Sequence, residues 1–165
     1  MNWTPGVDFS AGSLGMGLSF GLGCSLAAKM DGSERKVWVL LGDGETQEGQ
    51  IWEAAMAASY HEAINLRVIV DRNRIQNDDF MNVQMEVGDL GEKFSSFGWT
   101  VKEVDGHDIP ALVDVFEWAN EEKSPIAIIA NTIKGKGVSF MENNPSFHGM
   151  APNDEELSIA LEELK

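Results

Sequence analysis

Cysteine is almost absent from this chain of 165 residues. Cys24 stands alone, so no disulfide can form within the chain, and its small, apolar neighbours lead us to expect a buried, inert thiol in a reducing compartment. Positive charge is also scarce. The 12 Lys and Arg face 27 Asp and Glu, a net charge of −15 that argues against nucleic acid or an anionic membrane as partner. No run approaches the ~18 apolar residues of a membrane span. The start Met1-Asn2-Trp3-Thr4-Pro5 has no basic leader region, and the expected location is cytoplasmic. There is no internal repeat, low-complexity segment or internal domain boundary, so residues 1–165 read as one domain.

What is present is a hydrophobic content of 43% and 17 glycines, enough apolar material for a real core. Pro5, Gly6 and Gly12 mark an extended arm or loop over the first dozen residues. From Ser13 to Met30, Leu14, Leu18, Leu22 and Leu26 recur every fourth residue with Gly15, Gly17, Gly21 and Gly23 between them. Each interior glycine weakens a helix by ~1 kcal/mol relative to Ala, so the pattern predicts a buried helix that lets a neighbour come close. Strands are expected at Lys36–Leu41, Leu66–Asp71, Thr100–Val104 and Pro125–Ala130. A helix from near Thr46 to Glu62 places Ile51, Ala54, Ala55 and Ala58 on one face.

Residues Arg74 to Val87 read as irregular, and Leu90, Phe94 and Phe97 as a short helix closed by Gly98. Asp108 is placed to cap a helix with Pro110 in its first turn and a stripe of Ile109, Leu112, Val113 and Phe116. A long connection, Ile133 to Pro152, precedes a last helix opened by the capping-box variant Asn153-Asp154-Glu155-Glu156. The acidic clusters at Glu117–Glu122 and Asp154–Glu163 read as solvated helix faces. Strand and helix alternate, and the strands are nearly continuous apolar runs; together these predict a doubly wound parallel α/β sheet.

The chemistry concentrates where the strand Val37–Leu41 empties into Gly42-Asp43-Gly44 and, thirty residues after Asp43, Asn73 follows the second strand. Two parallel strands can end side by side, and each delivers an oxygen to the crevice at the carboxyl edge of the sheet. Mg²⁺ takes oxygen ligands in octahedral geometry and borrows some from phosphate. Glycines beside Asp43 let backbone approach an anion, and a helix opening near Thr46 would point its positive end there. A plain strand-to-helix turn remains the other reading of the tripeptide.

Six segments stand out: Gly12-Ser13-Leu14-Gly15-Met16-Gly17-Leu18-Ser19, Gly42-Asp43-Gly44-Glu45-Thr46-Gln47-Glu48-Gly49, Asp71-Arg72-Asn73, Asp105-Gly106-His107-Asp108, Lys134-Gly135-Lys136-Gly137-Val138 and His148-Gly149-Met150-Ala151-Pro152-Asn153. Together they resemble the diphosphate-binding half of transketolase, and more closely the N-terminal subunit found where transketolase is split into two chains. The first two motifs also resemble the α subunit of 2-oxo acid dehydrogenases; the Lys134–Asn153 segment favours transketolase.

The resemblance implies a thiamine-diphosphate-binding fold in which Asp43, the Asn73 side chain and the Ile75 carbonyl hold Mg²⁺ against the diphosphate. Gly44 would give the diphosphate its backbone N–H, and Gly12, Ser13 and Leu14 would lie along the aminopyrimidine. His148 would reach the diphosphate and the substrate's reacting end. Glu48 and Glu53 would sit at a subunit interface and link two active sites. Read without the resemblance, Glu48 and Glu53 are first-turn carboxylates favoured by the helix dipole, His148 is a surface histidine, and His107 and His61 are structural. Trp52 and Met56 would pack against core or partner.

The implied activity is covalent transfer of a two-carbon ketol unit between sugar phosphates. It would need a pyrimidine-binding partner chain, since the glutamate that protonates the aminopyrimidine belongs to the other half, and a homo- or hetero-oligomer follows, with Ile51 and Met56 near the contact. Two departures stand out. The family's leading segment has no counterpart here, so another polypeptide would be expected to cover the Ser13–Met30 helix, and Asn77 and Asp79 replace an apolar residue and a glycine. They leave two alternatives: a truncated, non-catalytic partner-binding half, or a subunit of a related 2-oxo acid or ketol enzyme.

Overall fold

Strand residues of alternating destination divide the core in two. Ala127 and Ile129 turn to one face of the sheet with Val68, Val70, Val39 and Leu41, while Ile126 and Ile128 turn to the other. The computed structural model describes residues 4–165. Four parallel strands, β1 (Val37–Gly42), β2 (Leu66–Arg72), β3 (Thr100–Asp105) and β4 (Ile126–Asn131), lie in the order β1-β2-β4-β3. β4, buried throughout Ile126–Ala130, takes a central place, as its unbroken apolar run requires.

The helices are α1 (Met16–Met30), α2 (Gly49–Tyr60), α3 (Met81–Gln84), α4 (Leu90–Ser96), α5 (Ile109–Glu121) and α6 (Asp154–Glu163). The larger core joins α1, α2 and α4 to one face of the sheet; the smaller packs α5 on the opposite face. The doubly wound α/β expectation therefore holds. The first three residues of the expected arm or loop lie outside the described residues; beyond them Val7 N–H closes a turn on the Thr4 carbonyl. The asparagine capping box of α6 is present as expected.

Several local expectations are corrected. The first helix starts at Met16, because Gly15 sits in the left-handed region at φ 84° and breaks the ladder before it. Leu14, placed before the helix, is exposed, whereas Leu18 and Leu22 are buried. No helix starts at Thr46: Gly44–Gln47 is a short 3₁₀ turn, and α2 begins only after extended Glu48. The irregular Arg74–Val87 segment contains α3 and an antiparallel bridge between Ile75 and Phe80. In α5 the buried residues are Val115 and Ala119, with Phe116 and Trp118 packed alongside, and Ile109 and Val113 face solvent. Cys24 is half-buried rather than enclosed. Ile51 is 0% exposed, part of the chain's own core, while Met56 is exposed. Trp52 packs on Phe94 and Phe97 and donates to the Thr46 carbonyl at 2.9 Å.

The glycines of α1 are not equivalent. A Cβ on Gly21 would collide with Val39 of β1, whereas one on Gly23 would meet open space. Gly21 is thus what lets α1 lie close on the sheet. Gly21→Ala is expected to lower stability by about 1–3 kcal/mol through overpacking, read as a fall in the urea midpoint. An unchanged midpoint would mean that α1 can lift from β1 at no cost.

Candidate functional site

The site lies at the carboxyl ends of β1 and β2, which run parallel in register from Val37 opposite Leu66 to Gly42 opposite Asp71. This register brings the turn after β1 beside the turn after β2. Asp43, only 2% exposed, is where they join. One carboxylate oxygen accepts from its neighbour Gly44 N–H at 2.8 Å, and the other accepts from Arg74 N–H at 2.5 Å. Arg74 can present that N–H because it takes a left-handed φ of 63°.

Asn73 makes the matching arrangement on the β2 side. Its side-chain oxygen accepts from Ile75 N–H at 2.9 Å, and its amide donates to Asp71 at 3.2 Å; Asp71 in turn accepts from the Thr132 hydroxyl. Asp43, Gly44, Asn73 and Ile75, expected to act together, are thus drawn into one hydrogen-bonded cluster. Burial pushes the Asp43 carboxyl above its usual value; the Arg74 and Gly44 N–H groups oppose the rise, and neighbouring Asp71 adds to it. Two carboxylates thus lie close together here, and the nearby Arg72 charge offsets only part of the cost of burying Asp43.

That is the environment a small divalent cation relieves. Among the described residues no group of three or more His, Cys, Asp or Glu side chains forms a metal cluster. The donors at hand are a carboxylate, a side-chain amide oxygen and backbone carbonyls. An all-oxygen, incomplete set of this kind suits Mg²⁺ that completes its shell from water and phosphate, so the residues present fit the ion.

Glu45 is a site residue that the sequence reading does not single out. Its carboxylate accepts from Gly15 N–H at 2.9 Å and from Gly42 N–H at 3.1 Å. One side chain thereby fastens the loop containing Gly12, Ser13 and Leu14 to the Asp43 turn. The available signal is local: a carboxylate next to a Gly-Asp-Gly turn whose N–H groups need acceptors. Gly12, Ser13 and Leu14 are all exposed.

Glu48 lies close to the same loop, since a Cβ on Gly15 would come within 3.0 Å of its Cβ. Glu48 and Glu53 are both exposed. Further out, Asn77 to Phe80 face Pro145, Ser146, Gly149 and Met150 across an open pocket of about 600 Å³. His148 ends the 3₁₀ turn Pro145–His148 in the loop on the far side of that pocket, and is exposed. The structure does not bring it into contact with Asp43. Asn77 donates to Asp78 at 2.9 Å within its own exposed turn. His61 follows the end of α2, where its carbonyl accepts from Lys29.

Comparison with known proteins supplies the rest. Residues 1–164 match the transketolase family's thiamine diphosphate-binding domain. The chain is 43% identical over 162 residues to an apulose-4-phosphate transketolase subunit of Actinobacillus succinogenes, covering 98% of this chain and 59% of that protein. It is 39% identical over 166 residues to the 6-deoxy-6-sulfo-D-fructose transketolase subunit SqwG of Clostridium sp. (strain MSTE9), covering 100% and 60%. The chain thus spans about 60% of the length of these curated relatives. The crystal structure of Campylobacter jejuni transketolase superposes with a TM-score of 0.88 at 30% identity, over 96% of this chain and 26% of that one.

Proposed function

Because the chain belongs to the transketolase family, matching its thiamine diphosphate-binding domain over residues 1–164, we propose that it is the diphosphate-binding subunit of a split transketolase. In this reading residues 1–165 form one diphosphate-binding domain. With a pyrimidine-binding partner it transfers a two-carbon ketol unit between sugar phosphates, in the cytoplasm. The observation that carries the reading is the buried Asp43, tied by Arg74 N–H to the end of β2, with a carboxyl that burial and the neighbouring Asp71 push above its usual value.

Asp43, the Asn73 side chain and the Ile75 carbonyl hold Mg²⁺ in this proposal, and the Gly44 N–H meets the diphosphate. The loop Gly12-Ser13-Leu14 lies along the aminopyrimidine, at the position Glu45 fixes. The cofactor, when bound, supplies the nucleophilic carbon and electron sink that ketol transfer needs. His148 donates a hydrogen bond to the substrate oxygen on which negative charge develops. Glu48, exposed beside Gly15, communicates across the subunit contact with the second site.

The partner reading is supported by α1 and α2, which pack side by side while Met16, Phe20, Met56 and Tyr60 remain exposed. Paired protomers, as a homo- or hetero-oligomer, would cover them. The sugar classes in the relatives' names, a pentulose phosphate and a sulfonated hexulose, support a substrate with an anionic end.

Calorimetric titration of the chain with thiamine diphosphate tests the proposal, with and without Mg²⁺ and a co-expressed pyrimidine-domain partner. Binding that requires both is the expected result. Absence of binding in every combination would favour a non-catalytic, partner-binding half, the reading that Asn77 and Asp79 in the pocket-facing turn also suggest.

A further inference from the structure

His107 is the one histidine whose ring is held by another segment's backbone among the described residues. Its Nε2 accepts from Ile133 N–H at 2.7 Å. Ile133 opens the connection between β4 and α6, the loop that carries His148. An imidazole nitrogen that accepts a hydrogen bond has no proton, so the ring is neutral with its proton on Nδ1.

The ring is well placed for this role. Its own backbone N–H donates to Asp105 at 2.9 Å, which closes the turn after β3. The turn sits hard against β4: Gly106 N–H donates to the Asn131 carbonyl at 2.8 Å, and a Cβ on Gly106 would collide with Thr132. Ile133 in turn fixes the tight turn that follows, for its carbonyl accepts from Lys136 N–H at 3.2 Å. Gly135, at φ 76°, allows that turn to press on Met141, where a Cβ would lie 2.5 Å from the carbonyl oxygen. The β3 turn is therefore fixed on β4 by backbone contacts, and the His107 ring nitrogen extends that hold to Ile133, the first residue of the loop.

We propose that His107 is a positioning residue, whose neutral imidazole latches the start of the Ile133–Pro152 loop and whose protonation releases it. Protonation turns the acceptor at Nε2 into a donor facing the Ile133 N–H, and the two cannot bond. Charged groups around the ring set where the protonated ring goes. Asp105 and Asp108 belong to its own turn, and from the loop come Lys134, Lys136 and Glu142. Glu142 accepts from Gly137 N–H at 3.0 Å, pairs with Lys136 at 3.4 Å and would be held lower still by a protonated His107 ring. The imidazolium finds in Glu142 an anion within its electrostatic reach.

Other titrating groups of the loop act in a different pH range. Glu142 is held below the ordinary carboxylate value by Gly137 N–H, and Glu163 by the Ser139 hydroxyl and N–H. Their depressed values mean that the stability they contribute is lost only as pH falls through the carboxylate range. A change between about pH 8 and 5.5 therefore reports on histidine.

The test is amide exchange in the full chain, comparing Ile133 with Thr132, whose N–H donates to the Arg72 carbonyl and has no titrating partner. The Ile133 protection, relative to Thr132 and corrected for intrinsic rates, is expected to fall about fivefold between pH 8 and 5.5, the worth of one hydrogen bond. In His107→Gln, whose amide oxygen accepts without ionising, the ratio is expected to stay constant. A constant ratio in the wild type overturns the latch, and so does a variant that keeps the wild-type pH dependence. The wild-type titration decides alone if the variant does not fold. The consequence for turnover rests on the role proposed for His148. There the acid limb of the assembled enzyme's pH profile is expected to flatten in His107→Gln, and an unchanged limb would overturn that consequence while leaving the amide result to judge the latch.

Discussion

Asp43→Ala is expected to abolish Mg²⁺-dependent binding of thiamine diphosphate to the assembled protein, a loss of at least about a hundredfold in affinity. The size follows from what the side chain does. It is the buried carboxylate of the cluster, and a cation placed there would lose its only fully charged protein ligand in a site where desolvated charge interactions are strong. The apo fold should suffer much less. Removing the carboxylate also removes a buried charge whose pKa burial has raised. A group with a raised folded-state value adds stability below its unfolded pKa and loses it as pH rises, so at neutral pH the ionised Asp43 is a burden that Ala relieves. The loss of acceptors for Gly44 and Arg74 N–H opposes that relief. Calorimetric titration beside a urea melt separates the two effects. Retained metal-dependent binding would remove Asp43 from the ligand set.

Arg67→Met is expected to be the most damaging single substitution to the fold. Arg67 lies in β2 with 0% exposure, and among the described residues its hydrogen-bond acceptors are all backbone carbonyls. Its guanidinium donates to the carbonyls of Ala119, Ile64, Glu122, Leu66 and Ser124 at 2.6–3.1 Å. These carbonyls belong to the end of α5, the approach to β2 and the approach to β4, so one planar fork fastens three segments at the amino edge of the sheet. Burial lowers its pKa, with Glu122 opposing. Met fills much of the volume yet leaves the acceptors unmet, at a cost of about 3–5 kcal/mol. Domains of this size are stable by only about 5–15 kcal/mol. Arg67→Lys keeps the charge without the fork and should recover little. A urea midpoint within the error of the wild type would show that water replaces the guanidinium at those carbonyls.

Arg67 also marks where the sequence could not be read. In Leu66–Asp71 a single Arg looks like a residue on a solvated strand face, and nothing local reveals the carbonyls of residues 119, 122 and 124 that arrive from far along the chain. The strands themselves were legible because β1, β2 and β4 are largely apolar runs that give way to Gly42, Asp71 and Asn131. The clustering of Asp43 with Asn73 followed from two such runs ending side by side. What failed was phase and rotation. The stripe expected for α5 included Ile109 and Val113, but the contact with Ile126 and Ile128 selects Val115 and Ala119 instead. The helix start expected at Thr46 failed because Asp43 caps Gly44 and a 3₁₀ turn intervenes before extended Glu48. Glu45 escaped notice since the N–H of Gly15 lies thirty residues earlier in the chain.

The strand order β1-β2-β4-β3 sets translation against assembly. β4 is the last strand to leave the ribosome and the one that joins β2 to β3, so β3 has no neighbour in the sheet until residue 131 has emerged. Until then β2 and β3 each offer a bare edge, the kind of surface on which growing chains pair with the wrong neighbour. Pairing β2 with β4 then bridges nearly sixty residues, a distant contact of the sort that slows folding. Residues 66–131 must therefore all be made before the facing edges of β2 and β3 are covered, and that stretch sets how long mispairing stays open to the growing chain.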